Sequence, residues 1–207
     1  EEALSSRIFN PLAMLNSNSS VQESQKNEDF SIPYAEKAGE IKAIPFRSIH
    51  ACAPAGAINS SVSDMLKWTQ LQLSDGTLFG KHFIYKETLK EMHTIQMPMV
   101  LSTPDEEIYN FGYGLGWCTG FYRGRYYLHH GGGIDGFISQ VSLLPQQKIG
   151  IVVLTNSSSD GAFAISCITN TIMDKLLEET DVDWNKKTIS QREHFKSAQQ
   201  ETLQGNI

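Results

Sequence analysis

The residues with the clearest chemical potential form one short run, His129-His130-Gly131-Gly132-Gly133. An imidazole changes its charge between about pH 5 and 8, so it can give or take a proton near neutrality. Each glycine inside a strand or helix costs roughly 0.5–1 kcal/mol relative to alanine. A strand tolerates that cost where another group must approach the backbone closely. We therefore interpret this run as a candidate site rather than as a plain glycine-rich hairpin.

The residues on either side of the run predict the sheet that holds it. Phe137 to Leu144 is rich in β-branched and apolar residues, and Ile149 to Leu154 is a nearly continuous apolar run typical of a buried strand. A polar turn separates the two, and Arg123-Gly124 predicts a hairpin upstream. We expect an antiparallel sheet with strands over 113–121, 125–130, 137–144 and 149–155.

Helical patterns lie before and after the sheet. Ser61, followed three residues later by Asp64, predicts a helix start, and Asp75-Gly76 predicts its end. Residues 54–56, before that helix, predict a tight turn, with a wall of the substrate pocket as the alternative. Apolar spacing predicts further helices over Lys81–His93 and Ala162–Glu179, and the end of a helix through Leu4, Ile8 and Leu12. Asn16–Ala43 and Gln96–Tyr109 are expected to be loops, the first with possible short strands around Phe30–Tyr34.

Several of these stretches resemble one family, the serine β-lactamases and penicillin-binding proteins, in its class C and esterase-like branch. The run at His130 is followed by Gly136-Phe137, by a strand ending in Leu-Pro and by an apolar strand ending at Asn156. The segments RIFNPLAM, PAGA with SSVSDMLKW, and YGLGW are similar to family segments in the same order. The resemblance extends from Glu1 to about Asp183.

The resemblance implies an α+β fold, in which an antiparallel sheet carries a C-terminal helix and joins part of a helical subdomain. Residues 1–180 correspond to the C-terminal portion of the catalytic domain. Within it, 1–105 forms the helical and loop part, and 106–180 forms the sheet and terminal helix. Residues 181–207 are expected to be a polar linker or tail.

The same resemblance assigns the site residues. His130 takes the place of the family's lysine, Gly132 keeps the strand open for substrate, and Gly133 offers its backbone N–H to an oxyanion. His129 points to the opposite face, because successive side chains of a strand alternate, and we interpret it as structural. A histidine in place of lysine favours an esterase or D-amino-acid peptidase over a true β-lactamase.

The family's nucleophile motifs do not occur in this sequence. No serine has a lysine three residues later, and Ser63 is followed by Lys67 at a spacing of four. No Tyr-x-Asn, Ser-x-Asn or Gly-x-Ser-x-Gly is present. Two function classes stay open: part of a serine hydrolase that is inactive alone, or a non-catalytic binding protein that acts through a partner chain. An upstream Ser-x-x-Lys and Tyr-x-Asn in frame supports the first, and a native start at Glu1 supports the second.

Composition narrows the partners. A net charge of −6 and a pI near 5.5 do not favour nucleic-acid binding, and no apolar run is long enough to span a membrane. We expect no cofactor and no metal, since His50, His82 and His93 lack metal-ligand spacing. Cys52, Cys118 and Cys167 are expected to be isolated buried thiols, with one disulfide as the alternative. The resemblance implies a small-molecule or peptide substrate in the complete domain, and a bacterial periplasmic or extracellular setting. Self-association or a complementing N-terminal half is also expected, because elements of that half normally cover this sheet.

Overall fold

The computed structural model describes residues 2–49, 51, 53–99, 107–179, 181–203 and 205. The helices are α1 (Glu2–Leu4, continued by a π-helical turn over Ser5–Phe9), α2 (Val21–Ser24), α3 (Ala53–Gly56), α4 (Val62–Leu73), α5 (Lys86–His93), α6 (Gly161–Leu177) and α7 (Trp184–Leu203). The strands are β1 (Tyr34–Lys37), β2 (Glu40–Ala43), β3 (Thr77–Leu78), β4 (Lys81–His82), β5 (Met97–Pro98), β6 (Ile108–Tyr113), β7 (Cys118–Tyr122), β8 (Arg125–Ile134), β9 (Phe137–Leu144) and β10 (Ile149–Thr155).

The centre of the fold is a six-stranded antiparallel sheet in the order β10-β9-β8-β7-β6-β5. This confirms the expected α+β class and the antiparallel sheet. From β6 to β10, sequential strands are neighbours because connections of two to four residues join them. The β7–β8 turn places Arg123 at φ 49° and Gly124 at φ 74°, as the tight two-residue hairpin turns require.

The sheet buries both faces, and each face has its own helices. On the α6 face, Tyr122, Tyr127 and Leu144 pack with α6 and with Trp184 of α7. On the α4 face, Trp117, Leu128 and Leu143 pack with Leu73 of α4. Gly150 of β10 lies against α4 so closely that a Cβ there would fall 2.1 Å from Thr69 Cγ2. Helix α4 therefore sits directly on the strand.

Helix α4 begins as the sequence predicts. The Ser61 hydroxyl oxygen accepts a hydrogen bond from the Asp64 backbone N–H at 3.3 Å. Asp64 is itself buried and accepts from Lys67 Nζ at 3.0 Å and from the backbone N–H of Asn16 at 2.7 Å. A second core packs against α4 and consists of Phe9, Leu12, Met14, Leu71 and Leu78. Leu4 and Ile8 lie at its margin. The predicted apolar face of the first helix is thus in place.

Several predicted boundaries were wrong. The single strand expected over 113–121 is two strands, because the chain turns at 114–117, where Gly116 adopts φ 84°. The helix expected from Lys81 starts at Lys86, since Lys81–His82 pairs with Thr77–Leu78. The stretch expected to be a loop over 16–43 contains helix α2 and the hairpin β1–β2, which starts at Tyr34, within the range where short strands were considered possible. The stretch expected to be a loop over 96–109 contains β5 and the first two residues of β6. Residues 100–106 lie outside the described part of the chain.

The expected polar tail forms helix α7. Its first residue, Trp184, is only 5% exposed and stacks on Tyr122 with ring centroids 6.3 Å apart. One apolar anchor thus packs a helix whose composition is polar. The boundary placed at residue 180 stays a prediction. Within the described residues, no helix is both long enough and apolar enough to cross a membrane.

Candidate functional site

The glycine run lies on strand β8 where that strand extends beyond its neighbour β7. The pairing of β8 with β7 ends at His129, opposite Cys118, while the pairing with β9 continues through Ile134. Residues 130–134 are all exposed. Among the residues that the structure describes, no strand pairs with the β7 side of this segment. The segment is therefore a short open edge whose backbone N–H and C=O groups can meet a ligand.

The glycines have a spatial reason rather than a conformational one. None of Gly131, Gly132 and Gly133 has a φ in the left-handed region. A Cβ on Gly132 would lie 3.1 Å from Ser139 Oγ, and one on Gly133 would lie 3.1 Å from Ile138 Cδ1. These are tight but not prohibitive contacts. Glycine leaves the open edge without side chains, which lets another molecule lie along the backbone.

His130 is exposed at the start of this edge and is held by a tyrosine. Its Nε2 lies 2.9 Å from the hydroxyl of Tyr113, and the two rings meet edge to face with centroids 5.9 Å apart. Tyr113 is the last residue of β6 and pairs with Cys118, the first residue of β7. Its side chain therefore spans the end of β7 to reach the imidazole.

His129 has a different environment although it is the next residue. Its Nε2 lies 2.9 Å from Asn110 Oδ1, and its ring stacks on Tyr127 at 4.8 Å. Burial lowers the pKa of His129 to about 4, and the nearby charge of His130 acts in the same direction. His129 is therefore neutral at pH 7.

Helix α3 lies beside the far end of the open edge. A Cβ on Gly56 would be 3.6 Å from Ile134 Cδ1, so helix α3 borders the strand that carries the glycines. On the other side, the β8–β9 turn contacts the segment before β1, because a Cβ on Gly136 would meet Pro33 Cβ at 2.3 Å. Both segments are distant from β8 in sequence, and they border the end of the open edge on two sides.

The other chemically capable groups have structural partners. Lys67 donates to Asp64 and to the carbonyl oxygen of Ala13. His93 bonds Gln72 at 2.9 Å and meets Trp117 edge to face, and burial lowers its pKa to about 4. The described residues contain no group of three or more His, Cys, Asp or Glu side chains that could hold a metal ion. Cys118 and Cys167 are free and half-buried, and Cys52 and His50 lie outside the described residues.

Comparison with protein-family models identifies the family of this chain. The model of the Beta-lactamase family matches residues 1–171. The chain belongs to the beta-lactamase family. Solved structures that share this fold include the following two. The octameric penicillin-binding protein homologue from Pyrococcus abyssi has a TM-score of 0.73 and 27% identity, covering 87% of this chain and 38% of that one. A D-stereospecific amidohydrolase from Streptomyces sp. has a TM-score of 0.57 and 20% identity, covering 75% of this chain and 43% of that one.

Two fungal hydrolases are similar in sequence to this beta-lactamase-family chain. Unguisins hydrolase ungD of Aspergillus violaceofuscus (strain CBS 115571) is 26% identical over 197 residues, which cover 87% of this chain and 35% of that protein. Unguisins hydrolase ungD' of Aspergillus campestris (strain IBT 28561) is 25% identical over 186 residues, covering 87% and 34%. The chain thus spans about a third of the length of the curated relatives it matches.

Sequence reasoning missed the two side chains that hold the histidines, Tyr113 and Asn110. Both lie on β6, of which residues 108–109 were expected to be a loop and only residue 113 was expected to be in a strand. Because a single strand was expected over 113–121, the prediction had no strand on the far side of β7. The residues of β6 that reach the two histidines across β7 could therefore not be assigned. The turn at Gly116 was the available signal, because a glycine-rich turn in mid-strand adds a further strand to the sheet.

Proposed function

We propose that this chain forms one wall of the acyl-transfer site of a β-lactamase-like serine hydrolase. The observation that carries the proposal is the open glycine edge with His130 exposed beside it. Acyl transfer needs backbone N–H groups aimed at the developing oxyanion, in a place where a substrate can lie against the strand. The edge at Gly131–Gly133 offers such groups, and membership of the beta-lactamase family supports the assignment.

In this proposal each site residue has one role. Gly133 donates its N–H to the oxyanion, and Gly132 keeps the strand open for the substrate. His130 moves a proton near the nucleophile or meets a substrate carboxylate when it is charged. Tyr113 positions the imidazole of His130 through its 2.9 Å hydrogen bond and fixes which ring nitrogen faces the substrate.

The nucleophile comes from outside this sequence. Ser-x-x-Lys and Tyr-x-Asn are absent from the 207 residues, and Lys67 is engaged with Asp64. The proposal therefore places the serine, its lysine and the tyrosine on another segment of the same protein or on a partner chain. The bond that is cleaved is an amide, a β-lactam or an ester. The names of the two Unguisins hydrolases support hydrolysis and do not choose among these bonds.

Labelling with mechanism-based probes tests this proposal. The chain alone should not turn over nitrocefin or a p-nitrophenyl ester, and neither a fluorophosphonate nor penicillin should leave an adduct. Acyl transfer needs an activated nucleophile within hydrogen-bond reach of its base. Adding a segment with Ser-x-x-Lys and Tyr-x-Asn should create activity. Stoichiometric labelling of a serine in the isolated chain, lost after heating, would contradict the proposal.

A second candidate function is that of a non-catalytic module that binds a partner chain. The observation in its favour is an exposed apolar stripe on α6, formed by Ile168, Ile172 and Leu176, which are 43%, 38% and 57% exposed. They are spaced four residues apart and share one helix face. Strand β10, beside it, is the last strand of the sheet. Both features invite association.

Sedimentation and the binding of a hydrophobic dye test whether the free chain has an uncovered interface. The free chain should dimerise or bind hydrophobic dye, and a Leu176→Lys variant should reduce both effects. Tyr85→Lys is the matched control, because Tyr85 is 80% exposed and lies at the start of α5. A wild-type chain that sediments as a clean monomer without binding dye would count against an uncovered interface.

A further inference from the structure

A cleft of about 880 Å³ begins where the open edge of β8 ends. One wall is the β8–β9 turn, from Gly133 to Ile138. The other wall is formed by β1 and by residues 44–48, which follow β2. The volume is in the range of sites that bind small molecules. Because Gly133 belongs to its lining, a molecule in the cleft lies directly beside the backbone of the glycine edge.

The lining of the cleft is mainly apolar and partly aromatic. Phe46 and Phe137 both line the cleft, and their ring centroids lie 5.9 Å apart. Phe30, outside the lining, supports the ring of Phe46 with a centroid distance of 5.9 Å. Rings at this distance favour tilted or edge-to-face contacts, which a further ring can join. The remaining apolar lining comes from Ala35, Ile44, Pro45, Ile134 and Ile138.

A few polar groups stand around this apolar surface. Arg47 Nε lies 2.8 Å from Asp135 Oδ2, and both side chains are largely exposed. An exposed pair of this kind adds little stability, but it ties the 44–48 segment to the β8–β9 turn. Lys37 also lines the cleft and adds a positive charge. The three charges together are +1, which disfavours a cationic ligand.

We propose that this cleft is a specificity site for an aromatic acyl group. The inference rests on the proposed function: a substrate whose carbonyl oxygen meets the N–H of Gly133 directs its acyl part into the adjoining cleft. There its ring packs against Phe46 and Phe137. An apolar pocket discriminates through the area that the ligand buries, so a substrate without the ring binds more weakly.

The test compares two probes on the chain itself. N-phenylacetylglycinamide and N-acetylglycinamide differ by one phenyl ring and have no stereocentre. Titration followed by backbone amide NMR should give a dissociation constant on the order of 1 mM for the phenyl compound, as expected for a ligand of this size. The shifted amides should be those of 44–48 and 133–138, and the acetyl compound should bind at least tenfold more weakly. Equal affinities, or shifts elsewhere, would overturn the proposal.

Substitution at the cleft gives a second arm. Phe46→Ala should weaken binding of the phenyl compound at least fivefold, whereas Tyr85→Ala, at an exposed aromatic distant in sequence, should leave it unchanged. If Phe46→Ala does not fold, the pair of probes on the wild-type chain still decides the question. No nucleophile is needed for binding. If a serine of the isolated chain is labelled and binding still depends on the ring, only the proposed function is contradicted. If no serine is labelled and the two probes bind equally, only the proposal for the cleft is contradicted.

Discussion

His129 and His130 are neighbours in the chain, yet they have opposite environments. His129 is half-buried, bonded to Asn110 and stacked on Tyr127, and its partial burial lowers its pKa to about 4. His130 is exposed at the open edge and shares a hydrogen bond with the hydroxyl of Tyr113 on β6. The alternation of side chains along a strand produces this division. A single residue step therefore separates a structural imidazole from a candidate catalytic one.

The same contrast holds for the two ends of strand β8. At its start, the α6 face is fixed by Asp174, which accepts hydrogen bonds from Tyr122, Arg123 and the indole of Trp184. At its end, residues 130–134 lack a β7 partner and are exposed. The packed start of β8 positions the exposed segment at its end. Changes at the buried end should therefore alter stability, and changes at the open end should alter chemistry.

The largest stability effect is expected at the buried end, from Asp174→Asn. Asp174 and Arg123 are only 6% and 12% exposed and pair at 2.8 Å. Without the charge of Asp174, the buried guanidinium keeps only the ion pair with Asp181, which is 67% exposed, among the residues that the structure describes. The free energy of unfolding should fall by about 3–5 kcal/mol, as measured by urea denaturation.

Asp75→Asn is the matched control for that substitution. Asp75 pairs with Lys86 at 3.0 Å, but these side chains are 59% and 69% exposed. Its removal should cost less than about 1 kcal/mol. Equal losses in the two variants would show that Asp174 does not anchor α6 and α7.

Acid should destabilise the protein through His129. The pKa is about 4 in the folded state and near 6.5 in the unfolded state, so the unfolded chain takes up the proton first as pH falls. The contribution is complete above about pH 6.5 and is lost as pH decreases toward 4. Between pH 7.5 and 4.5, His129→Gln should lose roughly 2 kcal/mol less stability than the wild type. An NMR titration of the His129 ring centred near pH 6.5 would contradict this.

The smallest effect on stability is expected from Tyr113→Phe at the open end. The hydrogen bond it removes is exposed and should be worth about 1 kcal/mol or less. The ratio of the two neutral tautomers of His130, read from its ring ¹⁵N shifts, should nevertheless change, because Tyr113 no longer selects one nitrogen. Tyr109→Phe, on the same strand, serves as the control. An unchanged tautomer ratio in Tyr113→Phe would show that Tyr113 does not position the imidazole of His130.

The sequence predicted the parts of this comparison that depend on local pattern. The alternating strand placed His129 and His130 on opposite faces, and Ser61 with Asp64 marked the start of α4. It did not predict Tyr113, because that contact depends on where β7 ends, which the turn around Gly116 decides. Helix α7 was missed because its attachment depends on Trp184 meeting Tyr122 and Asp174, three residues that only the folded sheet brings together.

The most direct test of the account is a pair of alanine variants in the protein completed with its nucleophile-bearing segment. We measure kcat/KM for His130→Ala and His129→Ala near pH 7, under conditions in which unfolding curves show that both are folded. His130→Ala should lose on the order of 10²-fold or more, as expected for an acid–base group, while His129→Ala should stay near the wild-type value. Equal losses, or a loss confined to His129→Ala, would contradict the assignment of the exposed histidine to the site.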